Sequence, residues 1–129
     1  MKAGAVRDLQ TMLKSMSPLL DDRPYSFEVL ADGEPLPVEA FAIVREREGT
    51  TVVQQAGDDE ELRFARITLQ VHSDLEGVGL TAAVATGLAA KGIPCNVIAA
   101  FHHDHLFVPW DCRTDAISVL QRISDDARR

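Results

Sequence analysis

The chain has 129 residues, 46% of them hydrophobic and 26% charged, with a formal net charge of −7. That length and balance describe one folded domain with enough apolar mass for a core, and exclude a disordered or fibrous chain. The negative charge repels phosphate backbones and anionic lipid, and the single basic cluster, Arg128-Arg129, lies beside Asp125 and Asp126, so the sequence predicts no nucleic-acid or membrane partner.

The first ten residues, MKAGAVRDLQ, become charged before an apolar signal core can form, and Cys95 and Cys112 are the only cysteines. The expectation is a cytoplasmic protein with both thiols reduced. Val6, Leu9, Leu13 and Met16 recur at helical spacing until Pro18, which predicts an amphipathic helix covering a core, with Met12 as core filler. YSFEVL, residues 25 to 30, reads as a strand. After a loop with Gly33, Pro35 and Pro37, FAIVRERE and TTVVQQ read as a hairpin turning at Glu48-Gly49-Thr50. The acidic connector AGDDEEL, residues 56 to 62, is the best internal boundary but is short for a domain linker.

The second half is more regular. RFARITLQVH sends Ala65, Ile67, Leu69 and Val71 to one face and polar residues to the other, the pattern of a half-buried strand. The nearly charge-free stretch at 77 to 90 is too short for a membrane span and carries three glycines and two threonines. It predicts a buried helix with Val84 and Leu88 on one face and a stop at Lys91-Gly92. CNVIAAFHH and LFVP predict two further strands, and WDCRTDAISVLQRISDDA a helix with Asp111 as cap and Ala116, Val119, Leu120 and Ile123 buried. The order strand, helix, strand, strand, helix is the split unit of ferredoxin-like folds, an α+β architecture with helices packed on one face of a mainly antiparallel sheet. The strand this unit lacks is expected from the first half.

Two places invite chemistry. GVGLTA, beginning at Gly77, imitates the start of a dinucleotide fingerprint, but the chain is too short for the parallel units that motif needs. The physics of the turn is independent of that motif, since free N–H groups at a helix N-terminus favour a phosphate or carboxylate. The competing structural reading is that the glycines permit a tight turn and close helix packing. The second place is AFHHDHLFVP, residues 100 to 109, with three histidines around Asp104. On an extended chain His103 and His105 point away from His102 and Asp104. A metal would need further ligands from His72, Asp74 or Glu76 at no standard spacing, so no metal is expected. Ser73, Cys95 and Cys112 sit in no nucleophile pattern, and neither catalysis nor a cofactor is expected.

With those residues in view, 66 to 109 resembles an ACT domain, the small regulatory fold that binds amino acids in many metabolic enzymes. The carriers are His72-Ser73, the turn Leu75-Glu76-Gly77-Val78-Gly79-Leu80-Thr81, Gly92-Ile93, and His103-Asp104-His105-Leu106, with weaker similarity around VREREGTTVV. The chain is most similar to small free-standing bacterial ACT-domain proteins with two ACT-like units, and to the related cytosolic arginine sensor of eukaryotes. The familiar ACT loop has an Asp and a Pro-Gly where this chain has Glu76-Gly77-Val78-Gly79. The resemblance implies a single compact unit over 1–129, a divergent ACT-like half at 1–60 and an ACT domain at 61–129. It implies a non-catalytic sensor, an expected homodimer, whose ligand sits near the strand-to-helix loop. Combined with the residues, the expected ligand contacts are Glu76, Gly77, Val78, Gly79 and Asp104, the amides near Gly77, Val78 and Gly79 meeting a carboxylate and Asp104, with Glu76 as a second candidate, an ammonium. Ile98 and Phe101 are candidates for apolar contact, each competing with a plain core role. The alternative is an oligomerisation module without a small ligand.

Overall fold

The computed structural model describes residues 5–129. The charged start of the chain, Met1 to Gly4, on which the reading of a missing leader partly rests, lies outside the described residues. Asp8 caps a short helix α1, Leu9–Lys14, by accepting from the backbone N–H and hydroxyl of Thr11. These two bonds hold its carboxyl below the usual range. Met12 and Met16 are fully buried, whereas Leu9 is partly exposed. The helix is therefore shorter than the sequence pattern predicts, and Val6 lies outside it, bridged in parallel to Ser73.

Among the described residues six strands form one sheet: β1 Pro18–Val29, β2 Ala42–Glu46, β3 Gly49–Gln55, β4 Phe64–Leu69, β5 Asn96–Ala99 and β6 Asp104–Pro109. Their order is β2-β3-β1-β4-β6-β5, with every pair antiparallel. The order β1-β4-β6-β5 is that of a ferredoxin-like unit in which β1, from the first half, takes the position of the last strand. The acidic connector runs between β3 and β4, and the sheet continues across it through the β1–β4 pair.

β1 is much longer than the expected 25 to 30. Its early part pairs with β4, its later part with β3, and the register shifts between Leu20 and Pro24. Proline and two aspartates are poor strand formers, but an irregularity absorbs them. There Asp21 accepts from the N–H of Arg23 (2.9 Å), the hydroxyl of Tyr25 (3.0 Å) and Nη2 of Arg66 (3.1 Å). The β2–β3 turn falls at Arg47-Glu48, with Gly49 already paired to Glu46.

The helices α2, Leu80–Ala89, and α3, Arg113–Ala127, join α1 on one face. Period-2 alternation turns Ala65, Ile67 and Leu69 of β4 and Leu106 and Val108 of β6 toward them, where they meet Leu80, Val84, Leu88 and Leu120. Gly87 lets α2 and α3 approach closely, since a Cβ there would lie 2.6 Å from Cδ1 of Ile123. In α3 the buried stripe is Ala116, Leu120, Ser124 and Ala127. The expected Val119 and Ile123 are only half-buried. Asp111 falls in a 3-10 turn, Trp110–Cys112, and does not cap α3.

The opposite sheet face carries a second cluster, in which Phe107 is fully buried among edge-on rings of Tyr25, Phe27 and Phe41. Arg66 lies near both Phe41 and Tyr25, 4.4 and 5.1 Å from the ring centroids, a pair of cation–π contacts held by its ion pair to Asp21. Among the described residues, no helix is long and apolar enough to cross a membrane.

Candidate functional site

The loop from β4 to α2 is built around Asp74. Its carboxylate accepts the Glu76 N–H at 2.8 Å and its carbonyl accepts the Gly77 N–H at 2.8 Å, so Asp74 and Gly77 close a tight turn of the kind that favours Asp first and Gly fourth. A Cβ at Gly77 would sit 3.0 Å from the Asp74 carbonyl oxygen and 3.4 Å from the end of Met12. Gly79, at φ 104°, occupies the N-cap of α2, and a Cβ there would meet Leu9 at 3.0 Å. The glycines therefore serve both a turn and close packing on α1. From the other side, Val6 donates to the His72 carbonyl and accepts from the Asp74 N–H, and Arg7 pairs with Asp74 (3.2 Å) and with Glu76.

No side chain caps α2 at Gly79. The first-turn N–H groups of Leu80, Thr81 and Ala82 lie too early in the helix to have intrahelical acceptors, and together with the helix dipole they make an electropositive end. Across from them, β6 begins at Asp104, paired with Leu69 on one side and Ala99 on the other. Its carboxylate accepts from Ser73 Oγ at 3.1 Å.

Between these two features lies a cavity of about 570 Å³, lined by Gly77, Val78, Gly79 and Asp104 among others. Four of the five residues named from sequence thus share one space. Glu76 does not line it; its exposed carboxylate is turned to Arg7. The N–H of Gly77 is used within the turn. Neither Ile98 nor Phe101 lines the cavity: Ile98 packs in the aromatic cluster and Phe101 is 55% exposed. Sequence reading missed Met12, Ala82, Ala85 and Ala99 as part of the wall, and missed Arg7 as the clamp on its loop. The spacing Asp74-x-x-Gly77 was a legible turn signal.

The histidines divide by strand alternation. Asp104 enters the helix-side cavity, while its neighbour His105 enters the aromatic face, where Nδ1 bonds the Thr68 hydroxyl at 2.9 Å and the ring meets Phe41 at 4.8 Å. Burial, then Arg66 and His103, hold the His105 imidazole below its usual pKa, with Asp104 opposing. His72 gathers His103 and His102, at ring separations of 4.8 and 5.9 Å. Among the described residues, no three His, Cys, Asp or Glu side chains are arranged to hold a metal ion. Cys95 and Cys112 are free thiols, and burial pushes Cys95 up, away from thiolate chemistry.

Two family models of the ACT domain match in succession, over residues 4–67 and 63–122. The chain belongs to the ACT domain family. ACT domains usually serve regulatory ligand binding and are typically non-catalytic. Among solved structures, an ACT chain of this kind is similar to a Vibrio cholerae protein of unknown function, described as a possible transport protein. The two are 44% identical, the match covers 87% of this chain and 92% of the other, and the TM-score is 0.75. An Agrobacterium tumefaciens protein shares the fold at 19% identity and TM-score 0.62, over 79% of this chain and 84% of its own. No curated protein matches the chain.

Proposed function

We propose that this ACT protein is a regulatory sensor that binds a free amino acid in the cavity between α2 and the start of β6. The ligand carboxylate accepts from N–H groups at Val78, Gly79 and the first turn of α2, and the ammonium meets Asp104. Gly77 contributes by having no side chain, and Glu76 acts only through Arg7 on the loop. The observation that carries the reading is that an uncapped helix N-terminus and a carboxylate line one cavity, complementary to the two ends of a zwitterion. Binding then favours one subunit arrangement over another, by the difference in affinity between the two states. Exposed Val78 and Leu75 at the cavity, at 82% and 62%, support a homodimer that covers it.

The same exposed residues favour a second reading, an assembly module with no small ligand. Thermal shift and calorimetry against the twenty amino acids separate the two. A ligand at a hundred times its dissociation constant stabilises a fold by about 2.7 kcal/mol, and Asp104→Ala is expected to abolish that response while keeping the fold. Silence across the panel, or an undiminished response in the variant, overturns the sensor reading.

A further inference from the structure

Resting on the amino-acid reading above, we infer that the side chain of the ligand is uncharged and apolar. Among the described residues, the wall carries two ionisable side chains, Asp74 and Asp104, and no Lys, Arg or His. Asp74 is already engaged: it pairs with Arg7 at 3.2 Å and accepts the Glu76 N–H. Asp104 accepts from Ser73, and among the described residues no Lys or Arg pairs with it. The wall therefore offers one carboxylate for one ammonium. An acidic side chain would face two like charges, and a second cation on a basic side chain would find no free acid in the wall.

Apart from the hydroxyls of Ser73 and Thr81 and the backbone of the glycine turn, the side chains of the rest of the wall are hydrocarbon. Ala82 and Ala85 stand three residues apart on one face of α2, and Ala99 at the end of β5 and the buried Met12 add to the same lining. Methyl walls leave room for the ligand to supply the bulk. Each buried methylene is worth roughly fourfold in affinity, so leucine, three carbons larger than alanine, gains at most roughly 60-fold by full burial. In a cavity open on one side, an advantage of at least tenfold is expected.

The test is calorimetry of the intact protein with leucine, methionine, alanine, arginine and glutamate in turn. Leucine or methionine is expected to bind at least tenfold more tightly than each of the other three. Preferential binding of arginine or glutamate overturns this inference and leaves the amino-acid reading standing; no binding by any amino acid overturns both. Ala85→Leu is expected to cut leucine's advantage over alanine to under threefold, and an unchanged advantage overturns the assignment of the alanine wall. Should that variant not fold, Ala82→Leu, at an exposed position on the same helix face, gives the same reading.

Discussion

Ser73 Oγ donates to Asp104 Oδ2 across 3.1 Å, tying the loop between β4 and α2 to the first residue of β6. The bond restrains the carboxylate on which the proposed ammonium contact depends, and a restrained group loses less entropy on binding. Ser73→Ala is expected to weaken ligand binding by about 0.5–1.5 kcal/mol, the net worth of one such hydrogen bond, with little change in thermal midpoint. Full affinity in calorimetry of this variant would remove Ser73 from the site.

The two glycines that pack α2 are expected to respond differently to alanine. At Gly79 the backbone is at φ 104° and a Cβ would press Leu9, so Gly79→Ala should cost about 1–3 kcal/mol. Gly87 is mid-helix, and its Cβ would crowd the end of the half-buried Ile123 side chain at 2.6 Å while meeting Val119 at an ordinary contact distance of 3.5 Å. The gain of about 1 kcal/mol in helix propensity offsets the repacking, so Gly87→Ala should stay within about 1 kcal/mol of the parent. Urea denaturation decides this, with the midpoint lowered for the first variant alone and the slope unchanged in both.

Phe107 anchors the face of the sheet that has no helices. It is fully buried and touches three aromatic rings edge-on. Phe107→Ala should cost about 3–5 kcal/mol, whereas Phe27→Ala, at a ring already 39% exposed, should cost less than half as much. Equal losses would mean that the aromatic cluster is not organised around Phe107.

Stability should depend on pH through His105. Its folded pKa lies below the usual imidazole value because burial, Arg66 and His103 oppose the cation more than Asp104 favours it. A base with a depressed folded pKa contributes stability that is present above its unfolded pKa of about 6.5 and lost as the pH falls through the lower folded value. Unfolding free energy should therefore drop as the pH falls below about 6.5, and His105→Asn should flatten that limb. The carboxylates held low, Asp8 and Glu28, lose their contributions only at more acid pH, as the pH falls through their folded values. An unchanged slope near pH 6 in the variant would contradict the assignment.

The second half was legible because its strands obey strict alternation and its α2 and α3 carry apolar stripes; Val84, Leu88, Ala116 and Leu120 are buried as the spacing implies. The first half was legible in element order but not in extent. Proline and aspartate at 18 to 24 read locally as a break, and only the pairing with β4, some 45 residues away, keeps that segment extended. The same limit applies to the site. Gly77, Gly79 and Asp104 were readable from local turn chemistry and strand alternation. Arg7, Met12 and Ala99 reach the cavity region through tertiary contacts that no sequence window contains. Glu76 was named for its charge, and that charge is taken by Arg7.

Because β1 fills the berth beside β4, the halves on either side of the acidic connector are expected not to fold separately. A piece comprising 61–129 would leave the backbone of β4 bare along one side, a template for self-association. Supplied with 1–60 in trans it should recover a soluble heterodimer, whereas a single nick within residues 56 to 62 should leave the protein whole. Fragment complementation, more than deletion, is thus the way to take this molecule apart.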